Sequence, residues 1–324
     1  MAGTVGACAG RRRAPARCGL TAAPAAAMAR RISVVVVAAD SGPLLRECVD
    51  AVLASDGDVE LVLVDNASGD GEPEACIRAH GGDGRLRLLT NASNLGFGPA
   101  CNRGAAIARG DVLVFLNPDC RVARDTLSRL DATAAADPSI GLLGVMVHSP
   151  DGRIARGTRR RDPTLRRALM TATGLARLEH RWPALAGVEI PPADRDAPDV
   201  ETVDAVSGAC LFVPRGVFAA IGGFDEGYFL HVEDLDLCRR VRDAGWRVAL
   251  VRSLAVMHAQ GSSSRRRPWF VARHKHRGMW RWFMRFDPAA RNPLARVLVR
   301  LGIDAHLAWC GARIAVGRAI GIRP

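Results

Sequence analysis

Five apolar residues in succession, Val112–Leu116, run without a break into Asn117, Pro118 and Asp119. An apolar run of that length, closed by a Pro-containing turn, predicts a strand buried on both faces of a parallel sheet. Strands covered by helices on both sides lose the polar–apolar alternation of half-exposed ones. Such a strand carries Asp119 to its C-terminal end, the edge at which open α/β sheets bind ligands. Pro118 restricts its own φ and steers Asn117 towards an extended backbone, so the carboxylate is presented on a stiffened chain. In isolation Asn-Pro-Asp is turn chemistry; the rest of the chain gives it a second meaning.

From residue 32 onwards strand-like and helix-like patterns alternate. Ile32–Val37 is a β-branched run. Ser41-Gly42-Pro43 then reads as a helix start, with Leu44, Leu45, Cys48, Val49, Val52 and Leu53 at helical spacing. Val59–Val64 is the next strand, ending in Asp65-Asn66, and Arg85–Leu89 a third. Pro99 opens a helix to about residue 108. Alternation of this kind predicts an α/β fold, a mostly parallel, doubly wound sheet with helices on both faces. Between about 149 and 200 Arg, Pro and Asp dominate, which predicts surface loops with a short helix near 164–178. Order returns over Val203–Val213 and lasts to Met257.

Charge is divided unevenly along the chain. The net charge of +12 resolves into +6 over residues 1–31, −6 over 32–260 and +12 over 261–324. The overall basicity therefore belongs to the two ends, and it does not describe the middle. Nine scattered cysteines without a C-x-x-C pair point to reduced thiols, with neither a disulfide framework nor a zinc site. Residues 1–30, rich in Ala, Arg and Pro, read as a disordered or mis-started segment, with Met28 just ahead of the first strand. No uncharged apolar run is long enough to span a bilayer.

Four segments carry candidate chemistry. Val64-Asp65-Asn66-Ala67-Ser68-Gly69 is a strand end running into a polar turn. In Asn94-Leu95-Gly96-Phe97-Gly98-Pro99-Ala100-Cys101-Asn102-Arg103 the glycines let backbone approach a ligand where a helix begins. Asn117-Pro118-Asp119 is the third. The fourth, Gly222-Gly223-Phe224-Asp225-Glu226, is followed by Phe229 to Leu237 with Glu233, Asp234 and Asp236, and then by Met257-His258. The three acids also suit a helix N-terminus, with Arg239, Arg240 and Arg242 towards its other end.

In this order and spacing the segments resemble family 2 glycosyltransferases of the GT-A fold, and more narrowly the bacterial rhamnosyltransferase-like branch. The resemblance spans roughly residues 31–265 and is most continuous from Val206-Ser207-Gly208 to Trp246-Arg247-Val248. Departures are Ala38-Ala39-Asp40 where the family usually has Tyr-Asn, Ala205 in place of a common Trp, and His231 where an aromatic residue usually precedes the Glu-Asp pair. The resemblance implies a catalytic domain over 31–264. It further implies transfer of a sugar from a nucleoside diphosphate donor to a hydroxyl, with inversion, in cell-envelope polysaccharide synthesis; dTDP-rhamnose is the first candidate donor.

The roles implied follow from that chemistry. Asp119, matching the last acid of the Asp-x-Asp-type motif, would ligate a divalent cation with His258, as Mn²⁺ or Mg²⁺. Asn117 stands at the motif's first acid. Asp234 matches the base that takes the acceptor proton, with Glu233 orienting the acceptor or tuning its neighbour. Asp65 and Asp40 would face the nucleotide base, and Asn94, Gly96, Asn102 and Arg103 would line the donor pocket.

Residues 265–324 read as a basic, aromatic-rich helical extension, with a helix through about 294–320. Residues 265–286 hold six of the sixteen aromatic residues beside many arginines. This predicts binding at a membrane surface, the protein lying peripherally on the cytoplasmic face near a glycan or lipid-linked acceptor. The same composition suits single-stranded nucleic acid, but an acidic middle and no nucleic-acid module argue against such a partner. A catalytically inactive sugar-nucleotide binder is the remaining alternative, disfavoured by the joint presence of Asp119, Asp234 and His258.

Overall fold

The computed structural model describes residues 30–191, 196–259 and 267–319. Of residues 1–30, read as a disordered or mis-started segment, 1–29 lie outside the described residues, as do Arg265 and Arg266 of the C-terminal extension. The first half winds as expected: β1 (Ile32–Ala38), α1 (Leu44–Leu53), β2 (Val59–Asp65), α2 (Glu72–Ala79), β3 (Leu86–Thr90), α3 (Phe97–Ile107) and β4 (Val112–Leu116). Next come β5 (Cys120–Val122), α4 (Thr126–Ala136), β6 (Ile140–His148), β7 (Arg159–Arg160) and α5 (Leu165–Thr173). The order ends with β8 (Val200–Thr202), β9 (Ala205–Val206), β10 (Cys210–Pro214), α6 (Arg215–Ala220), α7 (Glu233–Asp243), β11 (Arg247–His258), α8 (Pro268–Phe286) and α9 (Pro293–Ala319).

The main sheet runs β3-β2-β1-β4-β10-β6-β11-β5, with β8 beside β11. Strands β3, β2, β1, β4, β6 and β11 share one direction, and β10, inserted between β4 and β6, runs against them. The C-terminal ends of β1, β2, β4 and β11 thus lie along one edge, together with the start of β10, where Cys210 pairs with Leu116. That edge receives all four chemistry-bearing segments.

Every residue of β1, β2 and β4 is buried. Their side chains alternate between two cores. Val34, Val36, Val112, Val114 and Leu116 meet Leu45, Val49, Leu127 and Leu130 on one face. Val35, Val37, Leu113 and Phe115 meet Ala105, Phe218, Phe224, Leu237 and Trp282 on the other. The apolar run that predicted a two-sided strand is explained by this double cover.

One boundary is adjusted, and the C-terminal extension is helical as expected. Helix α3 begins at Phe97, two residues ahead of Pro99, because the Phe97 amide is held by the Phe229 carbonyl at 2.8 Å. The aromatic residues expected in the helical extension lie on α8. Helix α8 lies on the second core with Trp282 and Phe283 buried, and Arg281 and Arg285 are paired with Asp225. Arg285 also reaches the fully buried Asp236 at 3.0 Å. Helix α9 runs through Gly302 and Gly311, and Trp269 of α8 packs directly over Gly311.

Candidate active site

At the end of β1 and β2 two loops are stitched together. Asp65, 3% exposed, accepts a hydrogen bond from the Ser68 amide at 2.8 Å. Asp40 accepts one from the Gly69 amide at 2.8 Å, and Asp70 one from the Gly42 amide at 2.9 Å. Asp40 and Ala67 take left-handed backbones, with φ of 54° and 60°; a short Asx side chain tolerates that region better than a branched one. Asp40 also lies 3.4 Å from Arg267. The two acids expected to face a nucleotide base are therefore tied to the same Ser68–Gly69 turn.

Asn66, which the sequence reading did not single out, organises the next wall. Its amide donates to Asn94 Oδ1 at 3.0 Å and to the Gly96 carbonyl at 3.1 Å, while its oxygen accepts from Asn91 at 2.9 Å and from the Leu95 amide at 3.1 Å. Gly96 has a φ of 92°, and a Cβ there would fall 2.5 Å from the Phe229 carbonyl oxygen, so no other residue fits without moving that loop. Asn94 and Gly96 thus shape the loop ahead of α3. Asn102 exchanges hydrogen bonds with the Phe224 backbone, both at 2.9 Å, and donates to Glu226. It clamps the Gly222–Glu226 turn to α3, while Arg103 is exposed on that helix. Phe224 packs among Phe97, Phe115 and Phe218.

At the centre of the edge Asp119 meets His258. The carboxylate lies 3.0 Å from His258 Nε2, both side chains largely buried, and Asn117 Nδ2 is 3.3 Å from the same nitrogen. Register makes this meeting inevitable, since His258 of β11 pairs with Cys120 of β5. The Cys120 thiol completes a group whose ligand atoms all lie within 4.8 Å of one another. Burial and the nearby Asp119 push that thiol well above its ordinary range, which leaves a carboxylate and an imidazole as the donors. An oxygen–nitrogen pair at the open edge of a sheet fits a hard divalent cation with room for further oxygen ligands.

Glu233 and Asp234 open α7. The two residues ahead of them, His231 and Val232, both adopt left-handed backbones, with φ of 65° and 76°. For a β-branched valine this is a strained conformation. Helix α8 holds it in place: a Cβ on Gly278 would lie 3.1 Å from both the His231 carbonyl and Val232 Cγ2. Burial pushes the His231 imidazole down to about 4.

The acids of this turn have separate fates. Asp236, wholly buried, is paired with Arg240 and Arg285 and is structural. Asp234 Oδ2 accepts from Arg160 at 2.5 Å and from the Gly208 amide at 3.0 Å, and its Oδ1 accepts from the Leu235 amide at 2.8 Å. Although burial opposes it, the Arg160 guanidinium with these amides holds the Asp234 carboxyl below its ordinary range. Glu233, 7% exposed, has an Oε2 with no partner among the described residues. Desolvation, with the Asp234 charge beside it, pushes Glu233 up to about 8.

Arg160 is the second residue that sequence reasoning missed. It sits in an arginine-rich stretch that reads as surface loop, yet 159–161 is extended and its side chains alternate. Arg159 reaches Glu201, Arg161 reaches Glu179, and Arg160 points the other way, to Asp234. The link from Asp234 to the Asp119 side is short. Gly208 bonds Asp234, and the Ala209 carbonyl accepts the Asn117 amide at 3.0 Å. Asp119 also borders a cleft with Leu44, Glu47, Arg121 and Met257; among the described residues Asp234 is not in its wall.

A mixed sheet of this order, with acids gathered at one edge and a helical extension closing the second core, defines a glycosyltransferase of the GT-A fold. The chain belongs to glycosyl transferase family 2, whose family model matches residues 33–188. It is 33% identical over 290 aligned positions to an N-acetylglucosaminyl-diphospho-decaprenol L-rhamnosyltransferase of Mycobacterium tuberculosis, covering 81% of this chain and 92% of that one. It is similar in structure to the mannosyltransferase PcManGT of Pyrobaculum calidifontis, solved with GDP-Man and Mn²⁺, with a TM-score of 0.55 and 21% identity over 92% of this chain and 78% of the other. A further likeness is to GalNAc-T7 solved with UDP, GalNAc and Mn²⁺, with a TM-score of 0.56 and 17% identity over 92% and 59% of the two chains. At such identities these two likenesses speak for the fold.

Proposed function

We propose that this enzyme is an inverting, divalent-cation-dependent transferase. In this reading it moves rhamnose from dTDP-rhamnose to a hydroxyl of a lipid-linked glycan during cell-envelope polysaccharide synthesis. The observation that carries the reading is the Asp119–His258 pair at 3.0 Å on the ligand-binding edge. The transferred sugar and the acceptor class are taken from the similar N-acetylglucosaminyl-diphospho-decaprenol L-rhamnosyltransferase, and the dTDP carrier from the resemblance to the rhamnosyltransferase-like branch.

Asp119 and His258 would hold Mn²⁺ or Mg²⁺, which when bound supplies Lewis-acid stabilisation of the departing diphosphate. Asp65 and Asp40 face the base of the nucleotide, and the loop fixed by Asn66 lets backbone come close to the sugar diphosphate. Asp234, kept ionised by Arg160, takes the proton of the incoming hydroxyl. Glu233, carrying its own proton at neutral pH, donates a hydrogen bond that orients the acceptor. A second reading exchanges the last two roles. It is favoured by the unpartnered Glu233 Oε2 and by an affinity for protons nearer to that of an efficient base.

Membrane association belongs to α9 in this proposal. Leu294, Val297, Leu298 and Leu301, each more than half exposed, recur at i, i+3, i+4 and i+7 and form one apolar stripe. Arginines flank it at 291, 296 and 300. No described helix is long and apolar enough to cross a membrane, so an in-plane attachment to an anionic surface is the matching mode.

The deciding experiment is a thermal-shift panel of nucleotide sugars with and without Mn²⁺, followed by transfer assays on the best donor. A stabilising shift with dTDP-rhamnose that EDTA removes is the expected result. Stabilisation by another nucleotide sugar alone would replace the donor, and insensitivity to EDTA would remove the cation.

A further inference from the structure

We propose that His276, His306 and Cys310 form a second metal site, for Zn²⁺, that clips α9 to α8. His276 comes from α8, while His306 and Cys310 are one turn apart on α9. Their ligand atoms all lie within 4.8 Å of one another. His276 Nε2 is 2.8 Å from His306 Nδ1, and Cys310 Sγ is 3.8 Å from that same nitrogen. Zinc with bonds of about 2.05 Å to nitrogen and about 2.3 Å to sulfur separates tetrahedral ligands by about 3.3 Å (N to N) and about 3.6 Å (N to S). The observed spacings lie within about half an ångström of these on either side, so small side-chain rotations bring all three onto one ion.

The imidazoles are prepared for this role. His276 Nδ1 lies 2.6 Å from the Ala272 carbonyl oxygen. A carbonyl can only accept, so Nδ1 carries the hydrogen and Nε2 presents its lone pair to His306. A backbone carbonyl behind the ring is the usual means of fixing the tautomer of a zinc-bound histidine.

Two imidazoles and a thiolate select a soft or borderline ion over Mg²⁺ or Mn²⁺, which separates this group chemically from the Asp119–His258 pair. Arg273, Lys275 and Arg277, which neighbour His276 in sequence, oppose a cation, so the binding must come from the three ligand atoms themselves. The fourth position is left to water. The pattern lacks a zinc signature in sequence because thirty residues separate His276 from the pair on α9. Only the antiparallel return of α9 along α8 joins them. The clip would hold the apolar stripe of α9 at a set position relative to the catalytic edge.

The test uses the full chain with a cleaved, histidine-free purification tag, titrated with Co²⁺ under reducing conditions and then with Zn²⁺ as competitor. A thiolate-to-cobalt charge-transfer band with tetrahedral d–d absorption, both displaced by Zn²⁺, is expected. Cys310→Ser removes the charge-transfer band, and His276→Ala or His306→Ala weakens Zn²⁺ binding by more than about tenfold, the least that follows even from loss of an outer-shell partner. Cys120→Ser leaves the band intact. Zn²⁺ also protects the α8–α9 pair from limited proteolysis in the wild type but not in Cys310→Ser. A missing band in the wild type, its persistence in Cys310→Ser, or its loss in Cys120→Ser instead overturns the proposal.

Discussion

Glu233 and Asp234, neighbours on the first turn of α7, are driven to opposite protonation states: burial raises Glu233 to about 8, while Arg160 and two amides hold Asp234 ionised. Adjacent acids separated in this way are what a site needs if one is to take a proton and the other to keep one.

Exchanging each carboxyl for its amide separates the roles. Asp234→Asn is expected to lower kcat by about 10²–10⁴-fold while donor affinity stays near that of the wild type. Glu233→Gln, which keeps a neutral hydrogen-bonding group, is expected to retain activity within about tenfold near neutral pH. The reverse ranking, in steady-state kinetics and donor-binding titrations, would assign the proton to Glu233.

The same residue makes stability depend on pH. Folded Glu233 holds its proton more tightly than the unfolded side chain, whose ordinary value is 4.5. The stability it contributes is therefore fully present below about pH 4.5 and is lost as pH rises to about 8. Glu233→Gln removes this loss, so its melting temperature should gain on the wild type as pH climbs through that window. Thermal unfolding across the range reads it, and a constant difference would show that Glu233 does not hold the proton.

Removing Arg160 should be costly in a way that a second change relieves. Arg160→Gln leaves the Asp234 carboxylate buried without its counter-ion, at a cost of about 3–5 kcal/mol. Adding Asp234→Asn should recover part of that cost. Denaturant unfolding of both single variants and the double variant measures the coupling.

Asp119→Ala is expected to abolish the cation-dependent part of donor binding while leaving the fold intact, since the side chain sits at the strand edge beside His258. Calorimetry of the donor with Mn²⁺ and with EDTA checks this. Equal binding under both conditions in the wild type would exclude the cation role.

Truncation should distinguish the two terminal helices. Ending the chain near residue 292 removes α9 and should release the protein from anionic vesicles while it stays folded and active on a soluble acceptor. Ending it near 264 also strips α8, uncovers the Trp282 and Phe283 sites and unpairs Asp225 and Asp236. Loss of a buried Trp alone costs about 3–5 kcal/mol, so this form should precipitate. Flotation and circular dichroism on both forms give the answer.

Local pattern made the parallel half of the fold legible. The apolar runs of β1, β2 and β4, their helices, and the strand end carrying Asp119 follow from periodicity and turn chemistry, which involve residues close in sequence. The pairing of Asp119 with His258 could be anticipated through family resemblance, because spacing alone says nothing about two residues 139 positions apart. Arg160 was hidden in a stretch that reads as solvent-facing. Asn66 looked like one more polar turn residue, although its four hydrogen bonds build the loop ahead of α3.

Composition was ambiguous for α8, since buried aromatics with ion-paired arginines and a membrane-facing helix have the same residue content. The sequence by itself determined the sheet's core strands, their winding and the chemical types at its edge, because hydrophobic periodicity is a local property. Tertiary structure alone decided which arginine holds Asp234, which helix packs on the second core and which exposes an apolar stripe. Those outcomes depend on contacts between distant segments, where burial and charge pairing are set by packing.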